Sequence, residues 1–148
     1  MDNETRTEFL KDEYLHIQNV IEDLDSRAIT IKAWSITFSS IAIIGAFTSH
    51  TPMVLLIAGL SSILFWLLET LWKTFQDGYY ARAADIESFF AGTKEDLVPF
   101  QIARSWKYSG YRRMLGILIY PHVALPHAVV LVIGLTLYVS HRLGLLQL

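Results

Sequence analysis

Apolar residues recur at Leu10, Tyr14, Ile17, Ile21, Leu24, Ala28 and Ile31, alternately four and three positions apart. That spacing is a heptad stripe on one helical face. It runs, with no Gly or Pro, into an uncharged stretch, so one helix is predicted over 6–48. After the polar break Ser49-His50-Thr51-Pro52, a second helix is predicted over 53–91. Trp72, Phe75, Tyr79, Ala83, Ile86 and Phe90 extend its apolar face, and Gly92 supplies the stop. Pro52 suits a helix start, where its missing N–H is not needed. Each helix is long enough to cross a bilayer core of about 30 Å and continue well beyond it. The pattern therefore predicts a long antiparallel hairpin, half in lipid and half in cytosol.

Thr93-Lys94-Glu95-Asp96 reads as a new helix start. Beyond it, Phe100, Ile102, Ala103, Trp106 and Tyr108 interleave with Arg104, Lys107, Arg112 and Arg113, which predicts an amphipathic interfacial segment over 93–113. A third crossing is predicted over 114–141, kinked or broken by Pro121 and Pro126, with a spanning piece from about Leu125. Whether 114–124 spans, re-enters or lies at the interface stays open. No repeat, low-complexity tract or linker interrupts the chain, so 1–148 reads as a single all-α membrane domain.

Charge placement adds orientation. Residues 33–68 and 114–141 contain no Asp, Glu, Lys or Arg, while eleven of the twelve Lys and Arg residues fall in 1–32 and 73–113. By the positive-inside rule those segments are cytoplasmic, with the 49–52 tip and the C-terminal tail outside. The expected location is the bacterial inner membrane. Residues 1–25 hold eight acids and two bases with no apolar core after a basic start, so neither a cleaved signal peptide nor a transit peptide is expected. At 148 residues, 53% hydrophobic and 18% charged, the composition departs from that of a soluble domain. The net charge of −2 offers no basic footprint for nucleic acid. The absence of Cys removes disulfides and thiolate metal sites.

Candidate chemistry is sparse. If the hairpin tip is centred at His50 and Thr51, Lys32 and Glu69 lie at equal depth and Lys73 follows one turn on. These three form either a local interfacial ion pair or, around an oligomeric pore, a charged ring. The same rule brings Arg82 level with Asn19, one turn from Glu22 and Asp23. His122 and His127, each after a proline, read as helix-break histidines; their five-residue spacing puts them about 140° apart, unlike metal ligands at i and i+4. Ser35, Ser39, Ala42, Ala46, Ala58 and Ser62 permit close helix approach. The stripe from Leu10 to Ile31 is the candidate assembly surface, within one hairpin or between copies. No phosphate loop, zinc-protease or serine-hydrolase motif occurs, and no cofactor, metal or catalytic residue is expected.

The stretch 23–40, DLDSRAITIKAWSITFSS, resembles a group of small bacterial membrane proteins and, more distantly, is similar to the SLATT class of two-helix membrane effectors. The resemblance covers about residues 10–90, and the third crossing lies outside its two-helix pattern. It implies membrane permeabilisation by an oligomer triggered by a partner. The expected function is thus an oligomeric channel or membrane-permeabilising effector; the alternative is a non-conducting scaffold whose cytoplasmic helices bind a partner protein. The expected partners are the lipid bilayer, further copies of the chain and a cytoplasmic protein, not nucleic acid.

Overall fold

The structure, a computed structural model, describes residues 2–105 and 111–147, residues 105, 111 and 112 by their backbone alone. It is all-helical, and the described residues contain no strand. The elements are α1 (Asn3–Thr48), α2 (Met53–Phe90), α3 (Ile102–Ser105), α4 (Tyr111–Leu118) and α5 (Pro121–Arg142). Three of them, α1, α2 and α5, are long and apolar enough to cross a membrane.

Helix α1 runs unbroken for 46 residues, about 70 Å at about 1.5 Å per residue. Asp2 caps it by accepting from Thr5 N at 2.7 Å, and that bonding holds the Asp2 carboxyl below its usual range. At the other end Ser49 N and Thr51 N return to the Gly45 and Ala46 carbonyls, and His50 takes a φ of 51° to turn the chain. Helix α2 then retraces α1. Gly92, at φ +73°, ends it with N–H groups returning to the last turn.

The residues that α1 buries are Leu10, Glu13, Ile17, Ile21, Leu24, Ala28, Ile31, Ser35, Ser39 and Ala46. The apolar stripe is therefore spent against α2 of the same chain, Tyr14 least completely. Tyr14 is half-buried and donates its hydroxyl to Glu87, while its neighbour Glu13 takes the inward position. At the end remote from the turn, Leu10, Ile17, Ile21, Ala83, Ile86 and Leu97 form the core cluster. Along α2 the buried face passes through Gln76, Arg82, Ala83 and Ile86, whereas Phe75 and Phe90 point outward.

In the second half of the chain one expectation fails and one alternative is resolved. No helix starts at Thr93; residues 93–101 are irregular, and Phe100 adopts a φ of 61°. Side chains of the long helices satisfy that backbone instead. Glu13 accepts from Phe100 N at 2.9 Å, Arg82 donates to Val98 O at 2.8 Å, and Arg6 donates to the Leu97 and Glu95 carbonyls. A single amphipathic segment over 93–113 is thus replaced by an irregular stretch, α3 and α4. Trp106, Lys107 and Tyr108 lie outside the described residues, as does the Arg112 side chain.

Of the kinked and broken alternatives for the third crossing, the broken one is found, with the spanning piece starting earlier than Leu125. Residues 114–118 belong to α4, and the break comes at Ile119 and Tyr120, ahead of Leu125. The cause is local: Tyr120 is extended, as a residue before proline prefers, and Pro121 occupies the first helical position. Pro126 lies inside α5 without ending it, removing only the bond to the His122 carbonyl. Helix α4 docks on α2 through a bidentate Arg113–Asp77 pair (2.9 and 2.7 Å) and a bond from Trp66 Nε1 to Leu118 O at 2.9 Å.

Candidate functional site

One face of each apolar helix contributes a polar group to a buried cluster. From α1 come Lys32 and Ser35, from α2 Glu69, and from α5 His127. Lys32 and Ser35 are three residues apart, so they share an edge of the stripe that α1 presents inward. Glu69 and Thr70 sit on the buried face of α2, and Val123, His127 and Gly134 on that of α5.

The geometry is specific. Lys32 Nζ stands 2.9 Å from Glu69 Oε1, His127 Nε2 is 3.0 Å from Glu69 Oε2, and Ser35 Oγ is 3.0 Å from His127 Nδ1. Glu69, His127 and Ser35 are fully buried, while the Lys32 side chain keeps 24% of its surface. The Lys32 contact is an ion pair without a directed hydrogen bond, because Oε1 has no hydrogen-bond partner. Close packing seals the cluster on the side toward the hairpin turn. A Cβ on Gly134 would lie 3.1 Å from the Leu55 carbonyl, and Leu55, Ala58 and Ala46 are fully buried. Burying a charged group among apolar helices is costly enough that such clusters are default functional candidates.

The structure separates the remaining candidates. Lys73 does not join Glu69; it bonds Asp25 and the Gln76 carboxamide, and Gln76 in turn donates to Ile21 O at 3.0 Å. Burial pushes the Asp25 carboxyl up, but hydrogen bonds from Lys73 and Gln76 and the charges of Lys73 and Lys32 outweigh it and hold it below the usual range. His122 is exposed beside the Tyr120 ring, 5.7 Å between centroids, and does not meet His127.

Arg82 does not reach Glu22 or Asp23, which face outward; it forms a buried bidentate pair with Glu13, both contacts 2.9 Å. The sequence reading missed Glu13, and it did not connect His127 with Glu69. A signal for the latter exists: Val123, His127 and Gly134 are spaced four and seven apart, one face of a helix that carries a small residue for close approach.

Ser35, His127 and Glu69 fall in the order of a nucleophile, a base and its orienting acid. All three side chains are fully buried. Among the described residues no group of three metal-ligating side chains converges, so Glu69 and His127 remain a pair. The arrangement is suited to holding three helices together and to holding protons. Comparison with family models, with curated proteins and with solved structures gives no match to this chain.

Proposed function

We propose that this chain is a homo-oligomeric integral membrane protein that acts as a non-conducting scaffold. In this reading three crossings anchor it in a bacterial inner membrane. The far ends of α1 and α2 project into the cytosol to bind a partner protein, with the N-terminus inside and the C-terminus outside. The segment around α3 and α4 then lies at the inner surface. The carrying observation is how polarity is distributed over the apolar parts of the three helices: Lys32, Glu69 and His127 are paired inside one chain, and the outward faces are mostly apolar. Outward positions include Trp34, Ile41, Ile44, Leu60, Leu64 and Val132. Such a surface suits lipid and neighbouring helices better than a water-filled path. At the far end Phe9, Phe90, Val98 and Phe100 remain exposed, in keeping with protein contacts there.

A channel is the second reading, favoured by the outward hydroxyls of Thr37, Ser40 and Thr136 and by the SLATT resemblance. Two measurements on the purified chain separate the readings. The mass of the extracted particle is expected to be a multiple of 16.9 kDa; a monomer overturns the oligomer. Reconstituted liposomes are expected to hold ions and dye as lipid alone does. Flux that Thr37→Val or Ser40→Ala abolishes replaces the scaffold with the channel.

A further inference from the structure

An ionised carboxylate only accepts hydrogen bonds, so the 3.0 Å contact with Glu69 Oε2 places a proton on His127 Nε2. In the neutral ring Nδ1 is then an acceptor, and Ser35 donates its hydroxyl to it at 3.0 Å. A second ring proton also has a place. With Nδ1 protonated, Ser35 Oγ accepts from it and turns its own O–H to the carbonyl one turn back. Thr30 does this with Ser26 O and Thr70 with Trp66 O in the same two helices. Both ring states therefore keep both hydrogen bonds.

The charge balance is what differs. With a neutral ring, Lys32 and Glu69 cancel. With an imidazolium, two cations at 2.9 and 3.0 Å share one carboxylate among apolar helices, where an excess charge is strongly disfavoured. Lys32 is the cation able to leave. Its side chain is 24% exposed and its contact with Oε1 lacks a directed hydrogen bond, whereas His127 is fully buried. A destination exists two turns away on the same face of α1. Asp25 is 46% exposed and paired with Lys73, so a freed Lys32 ammonium has water and the edge of that pair to move toward.

Access is one-sided, since the packing around Gly134, Leu55 and Ala58 closes the cluster toward the hairpin turn. Helix α1 offers Lys32, with Asp25 beyond it, and α2 offers Glu69, with Lys73 beyond it held by Asp25. Helix α5 itself carries only the exposed His122 nearby, and on α4 Arg113 is held by Asp77.

We propose that His127 is a proton-binding site reached from the Lys32 end of the helices, and that a proton taken up at Nδ1 displaces the Lys32 ammonium from Glu69. The proton comes from water and adds to the Nδ1 lone pair; no covalent bond breaks, and Lys32 keeps its own proton. The site goes beyond the scaffold reading and holds equally for a channel.

The test uses the full chain in proteoliposomes and a membrane-impermeant amine-acylating reagent, which labels only chains whose Lys11 end faces out. The ratio of Lys32 to Lys11 labelling is read by mass spectrometry from about pH 8 to about pH 5.5 outside, at fixed internal pH. Lys11 is exposed at the far end and corrects for the general loss of amine reactivity in acid. The expected result is a several-fold rise in the ratio on acidification, absent in His127→Gln. A ratio that stays flat, follows the internal pH, or rises equally in His127→Gln overturns the proposal. Should His127→Gln fail to assemble, the wild-type chain with ¹⁵N-histidine decides alone. A doubly protonated His127 at about pH 5.5 is required, and a ring still neutral there overturns the site.

Discussion

Two buried carboxylates hold this molecule together, and they are built to opposite specifications. Glu13, at the far end, meets an arginine fork through both oxygens and also accepts from Phe100 N, while Arg82 reaches on to Val98 O. Glu69, among the apolar helices, meets a lysine and a histidine, and one of its oxygens has no directed hydrogen bond. A guanidinium fixes a carboxylate in one geometry, whereas an ammonium on a flexible stem is a movable point charge. The first arrangement is a permanent clasp that also determines where 97–101 runs; the second leaves one partner replaceable. Both pairs are buried, so the contrast teaches that burial alone does not say which ion pair is rigid.

The comparison breaks most readily at its strong end. Arg82→Ala strands a buried carboxylate and is expected to cost about 3–5 kcal/mol, read as a lower unfolding midpoint in detergent and lost amide protection over 97–101. A change below about 1 kcal/mol would show that Glu13 is hydrated and the clasp unimportant. Glu69→Gln is expected to cost less, about 1–3 kcal/mol by the same midpoint, because the carboxamide still pairs with His127 and Lys32 is free to reach water. A larger loss than in Arg82→Ala reverses the ranking.

Gly134→Ala tests the seal above the cluster. Its new Cβ meets the Leu55 backbone at 3.1 Å, whereas one on Gly59 meets the Leu131 side chain at 3.4 Å. The expected cost is about 1–3 kcal/mol for the former and less for the latter, measured as the difference in unfolding midpoint.

Acid sensitivity separates Asp25 from both pairs. Its folded carboxyl ionises below the unfolded value of about 3.9, so its contribution is present above that pH and lost as pH falls through the folded value. Asp25→Asn should flatten the wild-type loss of stability in that acid range; an unchanged acid profile removes Asp25 as its cause. Smallest is Arg113→Gln at the exposed Arg113–Asp77 pair, expected within about 1 kcal/mol of wild type by thermal melt.

The lengths of α1 and α2 are legible because no Gly or Pro occurs in the first before Gly45, in its last turn, and a polar break of four residues ends it. The tightness of that break is also why Lys32 and Glu69 can be paired by depth. Glu13 is not legible by the same route. A scan for apolar positions selects Tyr14 next to it, and Glu13 turns inward only because Arg82 and the Phe100 N–H converge from residues far along the chain. Depth without facing misdirected Arg82 as well: Glu22 and Asp23 are at the right level on the wrong side of α1. Spacing separates His122 from His127 correctly, but it says nothing of which face of α5 meets α2, so the Glu69 partner of His127 stayed hidden. The route of 93–101 was beyond local pattern altogether, because its backbone is satisfied by side chains from the two long helices.

Gly134 gives α5 a fulcrum. Backbone rests on backbone there, with no side chain between to cushion or slide. His127 lies seven residues away and Pro121 thirteen, lever arms of about 10 and 20 Å. A tilt about that point moves Tyr120 and the attached α4 about twice as far as it moves His127. Any sub-ångström tilt set by the cluster would therefore reach α4 enlarged, as a shift of the Arg113 and Leu118 contacts on α2.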